Sequence, residues 1–483
     1  RMATARAARL QPLQVSEVPV NNAALIIGGG AAGMTAALAL ADQGFPVHLI
    51  EREAQLGGNL RQLQFWVPDG RPRGTAQSPA EYLAAMRARV LQHERIHVHL
   101  GTEHVRTGGF KGNFTSTVAQ NGEQRDIQHG ATIVATGGVE YKGPEYGYGT
   151  DPRIVTQLEF EQLLAKGQTG RSAGRSISKF RSVVMIQCVG PAEKFCSRIC
   201  CTTALKNALK LKEINRDADI TVLYRDIRTF GFKERVYTEA RRMGVRFVHF
   251  DFDRKPEVQI GETDFNLSSP ISDNPLPITV KIYDPTVGME LELQPDLLVL
   301  STPVVPSPGT QELATRLKVP VDMDGFFLEA HVKLRPVDFA ADGVFMAGLA
   351  HYPKFLDETI AQAQAAAARA AGILSQEKIV TSARVAVVDQ SKCTGCLTCV
   401  RVCPYNVPVI SNDYVGVGNL GGAAYIEPAI CHGCGTCVAE CPAKAIQLLH
   451  YTDAQMLTKV DALFGSALAE PDLIPMESIR VVG

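Results

Sequence analysis

Residues 24–51 read ALIIGGGAAGMTAALALADQGFPVHLIE, and their order decides the fold around them. Ala24 to Ile27 is a short, wholly apolar run of the kind that forms a strand buried on both faces. Gly28, Gly29, Gly30, Ala31, Ala32 and Gly33 follow without a gap, and an alanine-rich helical stretch runs on to Asp42. A second strand, Pro46 to Ile50, ends at Glu51 with Arg52 beside it. Strand, glycine turn, helix, strand and acid in this order make a dinucleotide-binding unit. The glycines form the tight turn, admit a pyrophosphate close to the backbone and let the helix pack on the strand, while the acid takes a ribose hydroxyl. The uncharged run from Ala23 to Ala41 is about as long as a bilayer requires. Its glycines read better as a turn, so no membrane span is expected.

Beyond this unit, the 483 residues are too many for one core of ordinary size and predict two to four domains. Apolar residues make up 45%, charged residues 20%, and the formal net charge is -1, which gives no electrostatic footprint for nucleic acid or an anionic membrane. There is no charged n-region followed by a small-residue cleavage site, and a cytoplasmic location is expected. The chain opens on Arg1 rather than a methionine. Arg1 to Leu13 has helix-forming composition and reads as a connecting helix with more chain upstream.

Twelve cysteines fall into three groups. Cys393, Cys396, Cys399 and Cys403 form C-x2-C-x2-C-x3-C followed by Pro404, and Cys431, Cys434, Cys437 and Cys441 repeat it ahead of Pro442. This doubled run is the ligand pattern of a two-cluster bacterial ferredoxin, in which the fourth cysteine of each run ligates the other cluster. Two-residue gaps on a tight loop let three thiolates meet three corners of one cubane, so the fourth must come from elsewhere. The predicted sets are Cys393, Cys396, Cys399 with Cys441, and Cys431, Cys434, Cys437 with Cys403. His432 reads as a solvent-facing loop residue. The third group is Cys188, Cys196, Cys200 and Cys201, the adjacent pair entering a helix-forming run. Chemistry alone leaves it as a further cluster, a redox-active dithiol or small buried side chains.

Gly57-Gly58 follow the second strand closely, Ile133 to Gly137 ends another strand with Thr136-Gly137, and Val344 to Gly348 precedes Lys354 and an alanine-rich helix beginning near Thr359. Those additions resemble the two-dinucleotide-binding-domain flavoproteins of the thioredoxin reductase kind. The resemblance implies FAD as cofactor, with the helix N-terminus near Thr359 aimed at the isoalloxazine. In such proteins an inserted domain normally binds NADPH. Here its first strand, Val183 to Gln187, leads into Cys188 where phosphate-binding glycines belong. The nicotinamide site is therefore read as converted into a cluster site, against a competing pyridine-nucleotide oxidoreductase.

Taken together, the chain resembles the A subunit of heterodisulfide reductase. Beyond the cysteine runs, the resemblance rests on LADQGFPVHLIEREAQLGGNL (40–60), TDPRIVTQLEFEQLL (150–164), AGLAHYPKFLDETIAQAQAAAARAA (347–371) and CPAKAIQLLHYTDAQMLTKVDALF (441–464). It implies an α/β, thioredoxin-reductase-like flavoprotein followed by an α+β bacterial-type ferredoxin domain. The domains expected are a connecting helix and linker at 1–21, a split FAD domain at 22–160 and 301–376, an inserted cysteine-bearing domain at 161–300, the ferredoxin domain at 384–450 and a tail at 451–483. It implies electron bifurcation from FAD to 4Fe-4S clusters and ferredoxin, with Cys188, Cys196, Cys200 and Cys201 holding a third cluster. The catalytic candidates are Lys206, matching a lysine beside the flavin in this family, and Lys354. No general acid-base pair or nucleophile is nominated. Partners implied are B- and C-like heterodisulfide reductase subunits, a hydrogenase or formate dehydrogenase module, and ferredoxin. Leu60 to Ile96 lacks the cysteines of a second ferredoxin module carried there by methanogen members, which leaves bifurcation against simple relay open. Flavoprotein subunits of quinone-interacting or benzoyl-CoA-reducing complexes, and a non-catalytic electron-wiring or assembly subunit whose flavin is structural, are the alternatives. Met456, Val460 and Leu463 lie on one face of a tail helix fit to dock a partner or to pack back on the ferredoxin domain.

Overall fold

A computed structural model describes residues 1–10, 12, 17–67, 78–168, 181–261, 277–380, 384–405 and 407–464; the expected tail beyond 464 lies outside them. The chain divides into two compact units, Val20–Glu377 and Arg1–Pro19 with Lys378–Gly483.

In the larger unit, Ala24–Ile27 lies inside a five-stranded sheet, ordered Val344–Met346, Ala131–Val134, Ala24–Ile27, Val47–Ile50, Ile96–His99. Every pairing in it is parallel. Parallel sheets are covered on both faces, which is why their strands read as unbroken apolar runs rather than alternating ones. The Ala31–Ala41 helix packs against the Leu356–Leu374 helix through Ala36, Ala37, Ala363 and Ala367, all fully buried. Alanine on both faces lets the helix backbones approach closely. Gly33 serves the same end more sharply, because a Cβ there would stand 1.8 Å from the Gly28 carbonyl oxygen. Gly28 itself holds φ +113, a conformation that only glycine adopts without strain.

A second five-stranded parallel sheet is ordered Ile154–Thr156, Leu297–Leu300, Ser182–Ile186, Asp219–Tyr224, Arg246–His249. It takes in a strand and the Gln157–Gln168 helix that begin ahead of residue 161. The two halves share one plan. In each, one strand sits centrally (Ala24–Ile27 and Ser182–Ile186), the next two strands add on one side, and an antiparallel three-stranded sheet intervenes before the chain returns on the other side. Gly138–Glu140 and Val304–Pro306, paired antiparallel, carry the chain out of the first half and back. This is the two-dinucleotide-binding-domain architecture. The difference lies in the turn after that central strand, where Gly28–Gly30 in one half corresponds to residues 187–199, with Cys188 and Cys196 on either side of Gly190, in the other.

In the smaller unit, two short helices, Thr398–Val402 and Thr436–Ala439, and two antiparallel strand pairs, Ala386–Val388 with Ile446–Leu448 and Val409–Val415 with Gly421–Tyr425, make an α+β module. The Asp453–Phe464 helix packs on the Met2–Ala7 helix; Gln455 Nε2 donates to Arg9 O at 2.9 Å and Arg6 lies over the Tyr451 ring. Met456 is half-buried, while Leu457, Val460, Leu463 and Phe464 stay exposed, so only part of the expected apolar face packs back. No helix among the described residues is long and apolar enough to cross a membrane.

The glycine geometry gives a paired expectation. Gly33→Ala drives its methyl into Gly28 and is expected to cost about 1–3 kcal/mol and to release flavin. Gly372→Ala, in the last turn of the Leu356–Leu374 helix with open space around it, should gain about 0.4–1 kcal/mol. Thermal melts and flavin absorbance of the two variants check both.

Candidate functional site

A cavity of about 790 Å³ opens at the carboxyl ends of the first sheet's strands. Gly28, Gly30 and Ala31 line it from the turn, Glu51 and Arg52 from the end of the second strand, Gly58, Thr136 and Gly137 from other connections, and Thr359 from the start of the Leu356–Leu374 helix. Gly33, Gly57 and Gly348 stand behind the wall. Gly57 N donates to Gly29 O at 2.8 Å, and a Cβ on Gly348 would meet Ala32 Cβ at 2.7 Å. Glu51 is held by accepting from Gly29 N at 2.7 Å and Glu53 N at 2.9 Å, each oxygen keeping acceptor capacity for a diol. The alanine-rich helix starts at Leu356, three residues before the expected Thr359, because the Glu358 carboxylate reaches back to Phe355 N at 2.8 Å and caps it.

The cavity fits a polar dinucleotide on its own chemistry. Trp66 Nε1, His104 Nδ1, Thr136 Oγ1 and Thr302 Oγ1 are buried without hydrogen-bond partners, and all four residues line it. Buried polar groups are nearly always paired, and a dinucleotide in this space would pair them.

Both candidate lysines line the cavity too. Lys206 is no solvated surface lysine: it is 5% exposed, and its Nζ lies 2.6 Å from Oε2 of fully buried Glu161. Burial lowers the Lys206 pKa, with Glu161 opposing. The other Glu161 oxygen accepts from Gln64 N at 2.7 Å and Phe65 N at 3.0 Å. Lys354 Nζ donates to Gly348 O at 2.7 Å and Tyr352 O at 2.6 Å, and burial brings its pKa down to about 7.

Cys188, Cys196, Cys200 and Cys201 surround a small separate space rimmed by Arg225, Asp226 and Arg228. Cys200 and Cys201 open the Cys200–Ile214 helix. Burial and thiol neighbours push Cys188 up to about 11, and the hydrogen bond that Cys200 donates to Cys201, together with burial, raises Cys200 while the same bond brings Cys201 down to about 7. Cys188 and Cys200 so placed disfavour their own thiolates until a cation balances them. Among the described residues no three His, Cys, Asp or Glu side chains converge on a position for a single metal ion. The four cysteines line one small space. Cys200 lines this space and the large cavity alike.

The ferredoxin module brings together Cys393, Cys396, Cys399 and Cys441 around one small space. Burial and the thiols of Cys431, Cys403 and Cys434 push Cys437 up to about 12, so this second set gathers as well. Ala424 N and Ala445 N donate to Cys393 Sγ and Cys441 Sγ at 3.3 Å, and Ala386 N and Val407 N to Cys431 Sγ and Cys403 Sγ at 3.4 and 3.5 Å. His432 is exposed as expected, yet its ring stacks on Tyr405 from the other run, centroids 3.9 Å apart.

Sequence reading passed over Glu161, Arg198, Tyr352 and Glu358. Glu161 had a signal: Gln157, Phe160, Glu161 and Leu164 are the buried face of one helix at helical spacing, with a carboxylate in mid-stripe. Arg198 and Glu358, 160 residues apart in sequence, had none.

Residues 26–93 match the NAD(P)-binding Rossmann-like domain family, and residues 392–446 the 4Fe-4S dicluster domain family. The thioredoxin reductase of Lactococcus lactis is similar in structure, at 18% identity over 73% of this chain and 98% of that one, with a TM-score of 0.49. One of the CoB-CoM heterodisulfide reductase iron-sulfur A subunits of Methanopyrus kandleri is 32% identical, across 98% of this chain and 81% of its own length. The A subunit of the H(2):CoB-CoM heterodisulfide,ferredoxin reductase of Methanothermobacter thermautotrophicus is 30% identical, across 86% and 74%. An iron-sulfur flavoprotein of the oxidoreductase class, the chain belongs to the family of heterodisulfide reductase A subunits.

Proposed function

We propose that this chain is the FAD and iron-sulfur subunit of a multi-subunit redox complex in the cytoplasm, and that it distributes electrons from one flavin to separate clusters, by bifurcation where the partner subunits supply a low-potential acceptor such as ferredoxin. The observation that carries the reading is the place of Cys200, which lines both the large cavity and the cysteine-ringed space. Two cofactors in those spaces would have a single residue as their common wall. Flavin exchanges electrons in pairs or singly, and each 4Fe-4S cluster carries one.

The chain's own residues supply binding and tuning. Gly28, Gly30, Ala31, Glu51, Arg52, Gly58, Thr136, Gly137 and Thr359 would hold FAD, with Gly33, Gly57 and Gly348 shaping the wall behind. Cys188, Cys196, Cys200 and Cys201 would hold a third cluster, and the two crossed sets the ferredoxin pair. The N-terminus of the Leu356–Leu374 helix and the Lys354 ammonium present positive charge to the cavity, which favours a reduced, anionic flavin. Lys206 and Glu161 fix the helix that carries Cys200. Terminal donors and acceptors belong to partner proteins of the heterodisulfide reductase B and C, hydrogenase or formate dehydrogenase kinds.

Iron and sulfide analysis tests the central claim: the intact chain should hold about twelve irons in three cubanes, and Cys188→Ala should lose about four of them. A content near eight in the unaltered chain would rule out the third cluster. Lys354 gives a pH dependence. Its ammonium is present below its value of about 7 and lost above it, so the flavin midpoint potential should fall more steeply with pH beyond that point, and spectroelectrochemistry of Lys354→Met should show no such break. Lys206→Met leaves the buried Glu161 carboxylate unpaired and should cost about 3–5 kcal/mol. Adding Glu161→Gln should recover much of that loss in denaturant melts.

A further inference from the structure

Two guanidiniums rim the cysteine-ringed space, and a third arginine meets it through its backbone. Arg225 and Arg228 belong to its outer rim, on the loop after the Asp219–Tyr224 strand. Arg225 lies over the Phe252 ring at 4.1 Å, and Arg228 Nε bonds Asp226 Oδ2 at 2.8 Å. Neither lines the flavin cavity.

Arg198 is placed differently. Its backbone N–H donates to Cys196 Sγ at 3.3 Å, while its guanidinium meets both carboxylate oxygens of Glu358 at 3.0 and 3.2 Å. Glu358 is the residue that caps the Leu356–Leu374 helix, whose first turn lines the flavin cavity. Tyr352 reinforces the same junction by donating its hydroxyl to Cys196 O at 2.9 Å. Arg198 holds φ +62, a left-handed conformation that costs a non-glycine residue free energy and persists where the surroundings impose it. Its Nε is buried with no partner. One residue thus touches a cluster cysteine through its backbone and the flavin's helix through its side chain. Its charge also reaches Lys354 in the cavity wall, lowering that lysine's pKa alongside the larger effect of burial, while Glu358 and Glu329 act in the opposite sense.

We propose that Arg198 couples the two redox sites electrostatically, so that the potentials of the flavin and of the Cys188–Cys201 cluster rise or fall together, whereas Arg225 and Arg228 act on the cluster alone. The sign follows from charge. Each electron added to either centre adds negative charge, and a fixed positive charge nearby stabilises the reduced form and raises the midpoint potential. Losing a shared positive charge lowers both potentials and leaves their difference little changed. Losing a rim charge lowers one and widens or narrows the gap.

The inference rests on a cluster occupying this space, so the experiment keeps the two apart. In the full chain, the cluster signal is assigned as the one that Cys188→Ala abolishes. Its midpoint is then titrated by EPR and that of the flavin by visible spectroelectrochemistry. Arg198→Gln is expected to lower both midpoints, Arg198→Lys to restore most of the shift, and Arg225→Gln and Arg228→Gln to lower the cluster alone. Arg198→Gln moving only one centre or neither, at unchanged iron and flavin content, would overturn the coupling. So would Arg198→Lys behaving like Arg198→Gln, which would make the ion-pair geometry and not the charge decisive. Absence of the signal from the unaltered chain would overturn the cluster assignment and the coupling with it, whereas a signal present but unmoved would overturn the coupling alone.

Discussion

Glu161 is fully buried, and a carboxylate so placed has to be met on every side. It accepts from two backbone amides of the first half, Gln64 and Phe65, and from Lys206 of the second. Breaking such an arrangement by removing one partner leaves a bare charge in the interior. The Cys200–Ile214 helix is therefore pinned where Lys206 meets Glu161, and Asn207 adds bonds to the backbone and side-chain oxygens of Gln157. Cys200, Thr203 and Lys206 of that helix all face the large cavity. The buried pair thus fixes the helix that bears Cys200, the residue common to the cysteine-ringed space and the dinucleotide cavity.

The repeated plan of the two halves explains how such a juxtaposition arises. Ligand sites in open parallel sheets lie at the carboxyl ends of the strands, beside the turn after the first strand. In the first half that turn is three glycines long and its helix starts at once. In the second it is stretched over residues 187–199 and supplies cysteines where amides would have cradled phosphate. The same topological position thus carries a different chemistry, with no change in the sheet beneath.

Much of this was legible from the residues. Glycine spacing before an apolar strand's helix, and two C-x2-C-x2-C-x3-C runs, are local patterns whose chemistry depends on neighbours in sequence. The crossing of the fourth cysteine between runs was also within reach, because a tight loop presents three thiols to one cubane and no more. Pairs such as Arg198 with Glu358, or Glu161 with Phe65 N, join segments about a hundred residues or more apart, and only folding reveals them. The helix start at Leu356 was missed by three residues for a related reason: the cap is made by a Glu side chain reaching backward, not by a residue at the N-cap itself.

The stretched turn between Ile186 and Cys200 has a kinetic consequence. A nicotinamide reaches its site by collision, so the supply of electrons would follow the concentration of a dissolved pool and saturate with it. A cluster held by Cys188, Cys196, Cys200 and Cys201 would not leave, and its effective concentration beside a flavin would be fixed by the fold. Exchange across the Cys200 wall would then be independent of any nucleotide pool, and the rate of the whole chain would be governed at its outer contacts, where partners arrive.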